Sequence, residues 1–308
     1  MVPSRACGWA VRPPCTPTRV VVGVQGDWYS KCLYKDMKNI NQSTGKRRPD
    51  GRAVALEAER RTLRALHRFG WLRTRDLAAL VHTKWAPRPA AEPELSAVLA
   101  TASALRMAQR TLRRMRESRL VLSAQGPDGS TLYALAEPGV RALRALGIEA
   151  STGKDSMRGI SGGYYRHRCV ANEIAIAGIV QGLRVSTERE IAQGLWIGGE
   201  AGIAGKRPDV LLRNREAWDW IEVQRSRPNA KDYARLLAWL RHMLALHSRP
   251  GAQIADGIRL RKIVFVCNTA FGTRLLRDLR EKRVDESALN ELLLFSHSLY
   301  KLDPIKFC

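Results

Sequence analysis

The segment "KRPDVLLRNREAWDWIEVQRS", from Lys206 to Ser226, predicts two β-strands around a polar turn. Asp209 lies on the first predicted strand, and Glu222 and Gln224 lie two residues apart on the second. Because side chains two residues apart on a strand point to the same face, Glu222 and Gln224 should lie side by side. A hairpin would bring Asp209 next to that pair. The segment therefore predicts a polar cluster on one face of a sheet.

The chain around this segment predicts an α/β domain over 161–308. A helix is predicted over 164–183, a strand or extended segment over 184–192, and a strong helix over 229–247. The run "IVFVC" (263–267) is continuously apolar, which is typical of a strand covered on both faces. The predicted order is α-β-β-β-α-β. Trp218 and Trp220 share a strand face in it, where they either pack the sheet or line a path for a ligand.

Residues 53–150 predict helices followed by a hairpin. One helix ends at Gly70 as its C-cap, a short second helix has Thr74 as its N-cap, and a third is rich in arginine. Two short strands then flank the turn cluster Gly126-Pro127-Asp128-Gly129, and a last helix follows from about Pro138. This order is that of a winged helix-turn-helix, so the chain as a whole is predicted to be α+β.

The arginine-rich third helix has two different faces. Leu105, Ala108, Leu112 and Met115 fall on its apolar side. A cationic face suits a major groove of DNA, and the alternative is a basic, solvated helix of a protein–protein module. The residues on or beside this polar face, predicted to contact DNA, are Arg106, Gln109, Arg110, Arg113 and Arg114.

The charge balance points to a polyanionic partner. There are 52 Lys and Arg against 29 Asp and Glu, a formal net charge of +23. Nucleic acid is the usual partner of such a chain, and a membrane surface is the alternative. No stretch reaches the ~20 apolar residues that span a bilayer, and the six cysteines form no CxxC pair that would indicate a zinc finger. We expect a cytoplasmic protein whose residues 1–52 are disordered or precede the true start, with a linker at 151–160.

The pattern "RPD…IEVQ", set in the α-β-β-β-α-β order, resembles the PD-(D/E)xK nuclease superfamily. Pro208-Asp209 matches "PD", and Glu222-Val223-Gln224 matches "(D/E)xK" with Gln in place of the usual Lys. Together with the preceding winged helix, the arrangement over 53–270 resembles the replication-relaxation family of plasmid and mobile-element proteins. The resemblance implies a restriction-endonuclease-like fold for 161–308.

The resemblance also implies a magnesium site. Asp209 and Glu222 would bind Mg²⁺, with Glu190 as third acid, while Glu173 and Glu188 compete with Glu190 for that role. Such an ion, with ligands at ~2.1 Å, requires neighbouring carboxylates that are not buried against apolar groups. Gln224 can donate a hydrogen bond but carries no charge, and Lys231 on the next helix is a substitute for the missing lysine. The arginines that would contact a phosphate backbone here are Arg225 and Arg227.

Three functions follow from these observations. The first is a Mg²⁺-dependent DNA endonuclease acting in plasmid replication, relaxation or mobilisation. The second is a DNA-binding accessory protein or transcriptional regulator that keeps an inactive nuclease fold. The third is a protein-interaction module. Double-stranded DNA is the expected partner, and a second copy of the chain and replication or mobilisation proteins are candidate partners.

Overall fold

The computed structural model describes residues 50–90, 93–214, 217–225, 228–249, 251, 259–297 and 305–306. Most of the predicted N-terminal extension, residues 1–52, lies outside the described residues. The first half contains α1 (Gly51–Phe69), β1 (Trp71–Arg73), α2 (Thr74–Val81), β2 (Glu94–Leu95), α3 (Ala102–Glu117), β3 (Val121–Gln125), β4 (Thr131–Leu135), α4 (Glu137–Arg144) and α5 (Lys154–Arg158). The second half contains α6 (Gly162–Val180), β5 (Arg184–Ser186), α7 (Glu188–Ala192), β6 (Val210–Asn214), β7 (Ala217–Gln224), α8 (Ala230–His247), β8 (Arg259–Cys267), α9 (Thr269–Glu281), α10 (Glu286–Leu292), β9 (Leu293–Ser296) and β10 (Ile305–Lys306). The chain is a mixed α/β protein.

The first half forms helices around a three-stranded antiparallel sheet of order β1-β4-β3. The predicted hairpin is present, and its turn is closed where the Gly126 amide donates to the Ser130 carbonyl at 2.7 Å. Gly70 ends α1 as predicted, with a φ of 80° and its amide donating to the Leu66 carbonyl at 2.8 Å. Thr74 is not the N-cap of α2. Arg73 takes that position because the Asp76 carboxylate accepts its backbone amide at 2.9 Å.

The second half is built on a five-stranded sheet of order β5-β6-β7-β8-β9. β6 runs antiparallel to both of its neighbours, β5 and β7, and β8 lies parallel to both β7 and β9. The observed order is α6-β5-α7-β6-β7-α8-β8, which is the predicted α-β-β-β-α-β order with the short helix α7 inserted between β5 and β6. β9 adds a strand at the edge that the sequence patterns did not predict.

The segment 184–192 differs from its prediction as one strand or extended segment. β5 ends at Ser186, and α7 begins directly after Thr187. The Thr187 hydroxyl accepts from the Glu190 amide at 3.3 Å, and the Glu190 carboxylate accepts from the Thr187 amide at 2.9 Å. This reciprocal capping box starts a helix, so the acids of "TEREI" lie on a helix and not on a strand.

Helices cover both faces of the five-stranded sheet. Val264 and Val266 of β8 pack with α6 on one face, while Ile263 and Phe265 pack with α8 on the other. The continuously apolar run 263–267 is therefore covered on both sides, as predicted. In the described part of the chain, no helix is long and apolar enough to cross a membrane.

The two halves share one hydrophobic core. The cluster that contains Leu66 and Leu135 continues without a break into Ile174 of α6 and Val210 of β6. The stretch predicted as a linker, 151–160, carries the helix α5, and the Gly153 amide donates to the Leu135 carbonyl at 3.0 Å. The predicted units 53–150 and 161–308 are thus packed against each other.

Three further contacts tie the halves together. The Trp71 and Tyr165 rings stack with centroids 5.5 Å apart. Arg73 donates to the Glu173 carboxylate at 2.9 Å, and β10 pairs with β2 by placing Ile305 opposite Leu95. These contacts join β1 to α6 and β2 to β10, and thereby hold elements of the first half against elements of the second.

Candidate functional site

Helix α3 is anchored by a face of small and apolar residues. Its N-cap is Thr101, whose hydroxyl accepts from the Ala104 amide at 3.1 Å. Ala104 and Ala108 pack on Ala78 of α2, and these small side chains let the two helices approach closely. Leu112 and Met115 are buried as predicted, whereas Leu105 is only half-buried because Ala104 takes the inward position.

The opposite face of α3 is cationic and exposed. Arg106, Gln109, Arg110 and Arg113 are all exposed, and within the described part of the chain they have no ion-pair or hydrogen-bond partner from a side chain. Arg114 differs, because its guanidinium donates to the Glu59 carboxylate of α1 at 3.0 Å. This places Arg114 against α1, to one side of the predicted DNA-contacting set. We call Arg106, Gln109, Arg110 and Arg113 the α3 face.

A groove runs between α3 and the strand β4. It has a volume of about 500 Å³, and Gln109, Arg113, Arg116, Glu117 and Tyr133 line it. Arg116 was not predicted as a DNA contact, although its spacing of three residues from Arg113 puts it on an adjacent part of the helix surface. The groove joins the α3 face to the outer surface of the hairpin.

The second candidate site is the acidic pair, Asp209 and Glu222. Asp209 directly precedes β6, and its amide donates to the Ile221 carbonyl at 3.0 Å, which holds it against β7. One carboxylate oxygen, Oδ2, accepts from the Val223 amide at 2.7 Å. The other, Oδ1, lies 3.2 Å from Nε2 of His167 on α6. The structure therefore brings Asp209 next to β7, as the sequence predicts.

Glu222 is enclosed and has protein partners on both oxygens. The residue is only 8 % exposed. Oε1 accepts from Nε1 of Trp220 at 2.6 Å, and Oε2 accepts from Nζ of Lys206 at 2.7 Å. Burial raises the pKa of Glu222, the Lys206 ammonium lowers it, and the Asp209 carboxylate raises it again, so the pKa lies above its usual value.

Lys206 is the partner of Glu222 that sequence reasoning missed. It follows a glycine-rich loop, 194–205, and its Nζ also lies 5.7 Å from the centroid of the Trp239 ring. Trp239 in turn donates to the Ile203 carbonyl at 3.0 Å, which holds the end of the loop in place. Hydrophobic periodicity does not identify a lysine that lies in a loop just before a strand as a partner of Glu222. Its only signal was its position three residues before Asp209.

Tryptophan rings form the wall around Glu222. The Trp220 ring lies 4.7 Å from that of Trp239 and 6.0 Å from that of Trp196, measured between centroids. Trp218, also buried, packs in the same core cluster. Of the two predicted roles for Trp218 and Trp220, the structure supports packing of the sheet.

A third set of polar side chains lies beside Asp209 on α6 and α7. Arg168 forms an ion pair with the Glu188 carboxylate at 3.1 Å, and Nε2 of His167 lies 3.9 Å from that carboxylate. Burial lowers the pKa of His167, but the hydrogen bond and charge of Asp209, with the charge of Glu188, outweigh burial and raise the pKa above its usual value. His167 was not predicted, because it is 42 residues from Asp209 in the sequence.

The acids expected to complete a metal site lie in three different environments. Glu190, the predicted third ligand, binds Arg68 of α1 at 2.6 Å and caps α7. Glu173 binds Arg73 and Arg75, both at 2.9 Å. Glu188, the competing choice, is the acid that lies near His167 and hence near Asp209. Among the described residues, the contacts of the Glu190 side chain are with Arg68 and the Thr187 amide, and none joins it to Asp209 or Glu222.

The residues present do not fit a magnesium ion. Mg²⁺ requires several oxygen ligands around one point, yet all four oxygens of the acidic pair already have a protein partner. One of those partners is an ammonium group, which repels a cation. Across the residues that the structure describes, no group of three or more His, Cys, Asp or Glu side chains could hold a metal ion.

The remaining predicted residues lie around the end of β7. Gln224 is half-buried at that end, and Arg225 donates to the Gly163 carbonyl at 3.3 Å. Lys231 is exposed in the first turn of α8, and it makes no ion pair with any residue that the structure describes. It is Lys206, not Lys231, that supplies an ammonium group to Glu222. Arg227 lies outside the described residues.

Comparisons with protein-family models, with curated proteins and with solved structures found no match to this chain.

Proposed function

We propose that this chain is a DNA-binding protein whose helix α3 enters the major groove of a duplex. The observation that carries the proposal is the α3 face, where three arginines and one glutamine are exposed without a partner among the described residues. An α-helix fits the major groove, which is about 12 Å wide. Arginine and glutamine are side chains that form paired hydrogen bonds with base edges there.

The surrounding fold supports this use of α3. The order α1-β1-α2-β2-α3-β3-β4 and the sheet β1-β4-β3 support our assignment of a winged helix-turn-helix, in which the third helix is the reading helix. The hairpin turn itself carries Asp128 and no basic residue. We therefore assign the DNA contacts to α3 and to the groove that Arg116 lines, and none to the tip of the hairpin.

The net charge supports the same partner. Neutralising phosphates releases condensed counterions, so a chain of formal charge +23 gains affinity for DNA before any base is read. The setting that we propose, plasmid or mobile-element replication, relaxation or mobilisation, rests on the resemblance of "RPD…IEVQ" to the replication-relaxation family. Cytoplasmic localisation and a homodimer are part of the same proposal.

For the second half, we favour the non-catalytic of the two DNA-related alternatives. The order α6-β5-α7-β6-β7-α8-β8, which keeps the three strands between two helices apart from the short α7, and the closeness of Asp209 to β7 support a nuclease-like fold. The Lys206 ammonium and the Trp220 indole occupy both oxygens of Glu222, which argues against metal-dependent cleavage. The five-stranded sheet then acts as a rigid support, because it shares a core with the helices that carry the α3 face.

A binding titration tests the DNA-binding proposal. The affinity for a fluorescently labelled duplex of random sequence would be measured by anisotropy for the wild type and for Arg110→Ala combined with Arg113→Ala. The matched control, Arg241→Ala with Arg249→Ala, removes two exposed charges elsewhere. We expect the α3 variant to bind clearly more weakly than the control. Equal affinities of the two variants would refute the assignment of α3.

A nicking assay separates the two alternatives for the second half. Supercoiled plasmid would be incubated with the wild type and with Asp209→Ala, each with and without Mg²⁺. We expect no magnesium-dependent nicking that differs between the two proteins. Nicking that requires both Mg²⁺ and Asp209 would establish the endonuclease instead.

A further inference from the structure

One row of side chains lies directly opposite the buried side of α3. The inward side chains, none of them more than 6 % exposed, are Ala104, Ala108, Thr111 and Met115. A step of two residues along an α-helix turns the side chain by about 200°, that is, to the opposite side. The residues two positions after the inward ones are all exposed, and we call them the outer row: Arg106, Arg110, Arg113 and Glu117.

The outer row is the part of α3 that reaches deepest into a groove. Arg114, on one side of it, is bonded to Glu59 of α1, and Arg116, on the other side, lines the groove towards β4. The floor of a major groove presents base edges, whereas the phosphates lie along its rims. Arg106 and Glu117 are 11 residues apart, or about 16 Å along the helix, which equals about five base-pair steps of 3.4 Å.

The side chains of the outer row recognise the two bases of a G·C pair. A guanidinium donates two hydrogen bonds to O6 and N7 of guanine, and a carboxylate accepts one from the N4 amino group of cytosine. Glu117 is unsuited to a phosphate, because the two negative charges repel. It also lies in the last turn of α3, where the helix dipole disfavours an acid, and it makes no ion pair with any residue that the structure describes.

We propose that α3 reads a G·C-rich duplex site, in which the outer-row arginines donate to guanines and Glu117 accepts from a cytosine. The inference rests on the proposed function, because it requires α3 to lie in the major groove, and it adds which base pairs are preferred there. Each paired contact of an arginine with guanine discriminates against a wrong base by about five-fold to more than a hundred-fold.

Selection of duplexes from a random library, followed by sequencing, tests the inference. The full chain would be used as wild type, as Arg110→Gln and as Arg241→Gln, a control that removes an exposed arginine from α8. We expect the wild type to enrich G·C-rich sequences. Because glutamine pairs with N6 and N7 of adenine, Arg110→Gln should change one enriched guanine to adenine and leave the other positions as they are. Arg241→Gln removes the same charge and should keep the wild-type sequence.

Two further measurements give the size and the second half of the effect. In anisotropy titrations, Arg110→Gln should lose at least about five-fold in affinity for the selected site relative to the same site with that guanine replaced by adenine. Glu117→Gln should lose the preference for cytosine at one other position. Both side chains are exposed, so neither change should disturb the fold.

Failure of this inference can be told apart from failure of DNA binding by α3. Duplex binding that depends on the α3 face but enriches no sequence, or enriches A·T-rich sequences, would overturn the inference and leave the proposed function standing. An Arg110→Gln protein that selects the wild-type sequence unchanged would do the same. A wild type that binds no duplex at all would overturn both.

Discussion

The α3 face and the acidic pair both concentrate charge, but they differ in whether the charged groups have partners within the protein. Arg106, Arg110 and Arg113 stand in solvent with no partner among the described residues. Asp209 and Glu222 have every oxygen occupied by a partner from the protein itself. The first arrangement leaves charge available to an external polyanion. The second uses charge to hold the fold together.

The difference has an energetic basis. An exposed arginine keeps its hydration, so leaving it unpaired costs little until a phosphate replaces the water. A carboxylate buried among indoles loses its hydration and needs an internal partner of opposite charge. The contrast predicts that mutations at the α3 face change binding without changing stability, and that mutations at the acidic pair do the reverse.

The largest effect on stability is expected at the acidic pair. Lys206→Met leaves the Glu222 carboxylate buried without its cation, and we expect a loss of about 3 kcal/mol in the free energy of unfolding, the lower end for a broken buried pair because Lys206 is partly exposed. The measurement is urea denaturation followed by tryptophan fluorescence. Adding Glu222→Gln should recover much of the loss. A double variant less stable than Lys206→Met alone would show that the two residues are not a pair.

The next effect concerns the α3 face. Arg110→Glu combined with Arg113→Glu should weaken duplex binding by about a hundred-fold or more, because each arginine that no longer meets the duplex removes about 1–3 kcal/mol of binding free energy. The melting temperature should stay near that of the wild type, because both side chains are exposed. Charge reversal at Arg241 and Arg249 is the matched control and should weaken binding far less. Comparable losses in the two variants would mean that only net charge matters.

A smaller effect is expected at Glu190, for which the family resemblance implied a place in the metal site. Glu190→Ala removes both the carboxylate half of the α7 capping box and the bond to Arg68, and we expect a loss of about 2 kcal/mol of stability. Duplex affinity should be unchanged. Glu281→Ala, at an exposed glutamate of α9, is the control and should leave stability nearly unchanged. Unaltered stability of Glu190→Ala would contradict a structural role.

His167 should make stability depend on pH in a defined direction. The folded state holds the His167 proton more tightly than the unfolded state, because the pKa is raised, so protonation stabilises the fold. The stabilisation from the His167 proton is complete below about pH 6.5, which is the pKa of histidine in the unfolded chain. It is lost as the pH rises through the higher pKa of the folded state. We expect the gap in melting temperature between wild type and His167→Gln to shrink as the pH is raised from the acidic to the alkaline side of that range. A gap that widens would contradict the contact with Asp209.

The smallest effect is expected at Lys231. Lys231→Ala should change the free energy of unfolding by no more than about 0.5 kcal/mol, because the side chain is exposed and unpaired among the described residues. Chemical denaturation beside Lys206→Met checks this directly. A loss as large as that of Lys206→Met would contradict the assignment, because it would mean that Lys231 also supports the fold.

The fold was largely predictable because its signals are local. The hydrophobic periods indicated the order of helices and strands, Gly70 marked the end of α1, and the run 263–267 marked a strand covered on both faces. One exception, the segment 184–192, also has a local cause. A Thr-x-x-Glu capping box outweighed the strand pattern there, and it could have been recognised from Thr187 and Glu190.

The partners of the acidic pair were not predictable in the same way. Asp209 and Glu222 could be placed near each other because one hairpin joins their strands. His167 and Lys206 reach them only through the packing of α6 and the path of the loop 194–205, which no sequence period encodes. Arg68 and Glu190 are 122 residues apart, and only the shared core of the two halves brings them together.

The central claim is that the unpaired charges of the α3 face are the ones that meet DNA. It is tested most directly by the salt dependence of duplex affinity for wild type and for Arg106→Ala combined with Arg110→Ala and Arg113→Ala. If each arginine neutralises one phosphate, the slope of log K against log salt should become shallower by about 0.9 per residue, or about 2 to 3 in all. The control Arg241→Ala with Arg249→Ala and Lys282→Ala removes the same charge from another surface and should keep the wild-type slope. A slope that the α3 variant leaves unchanged would contradict the account.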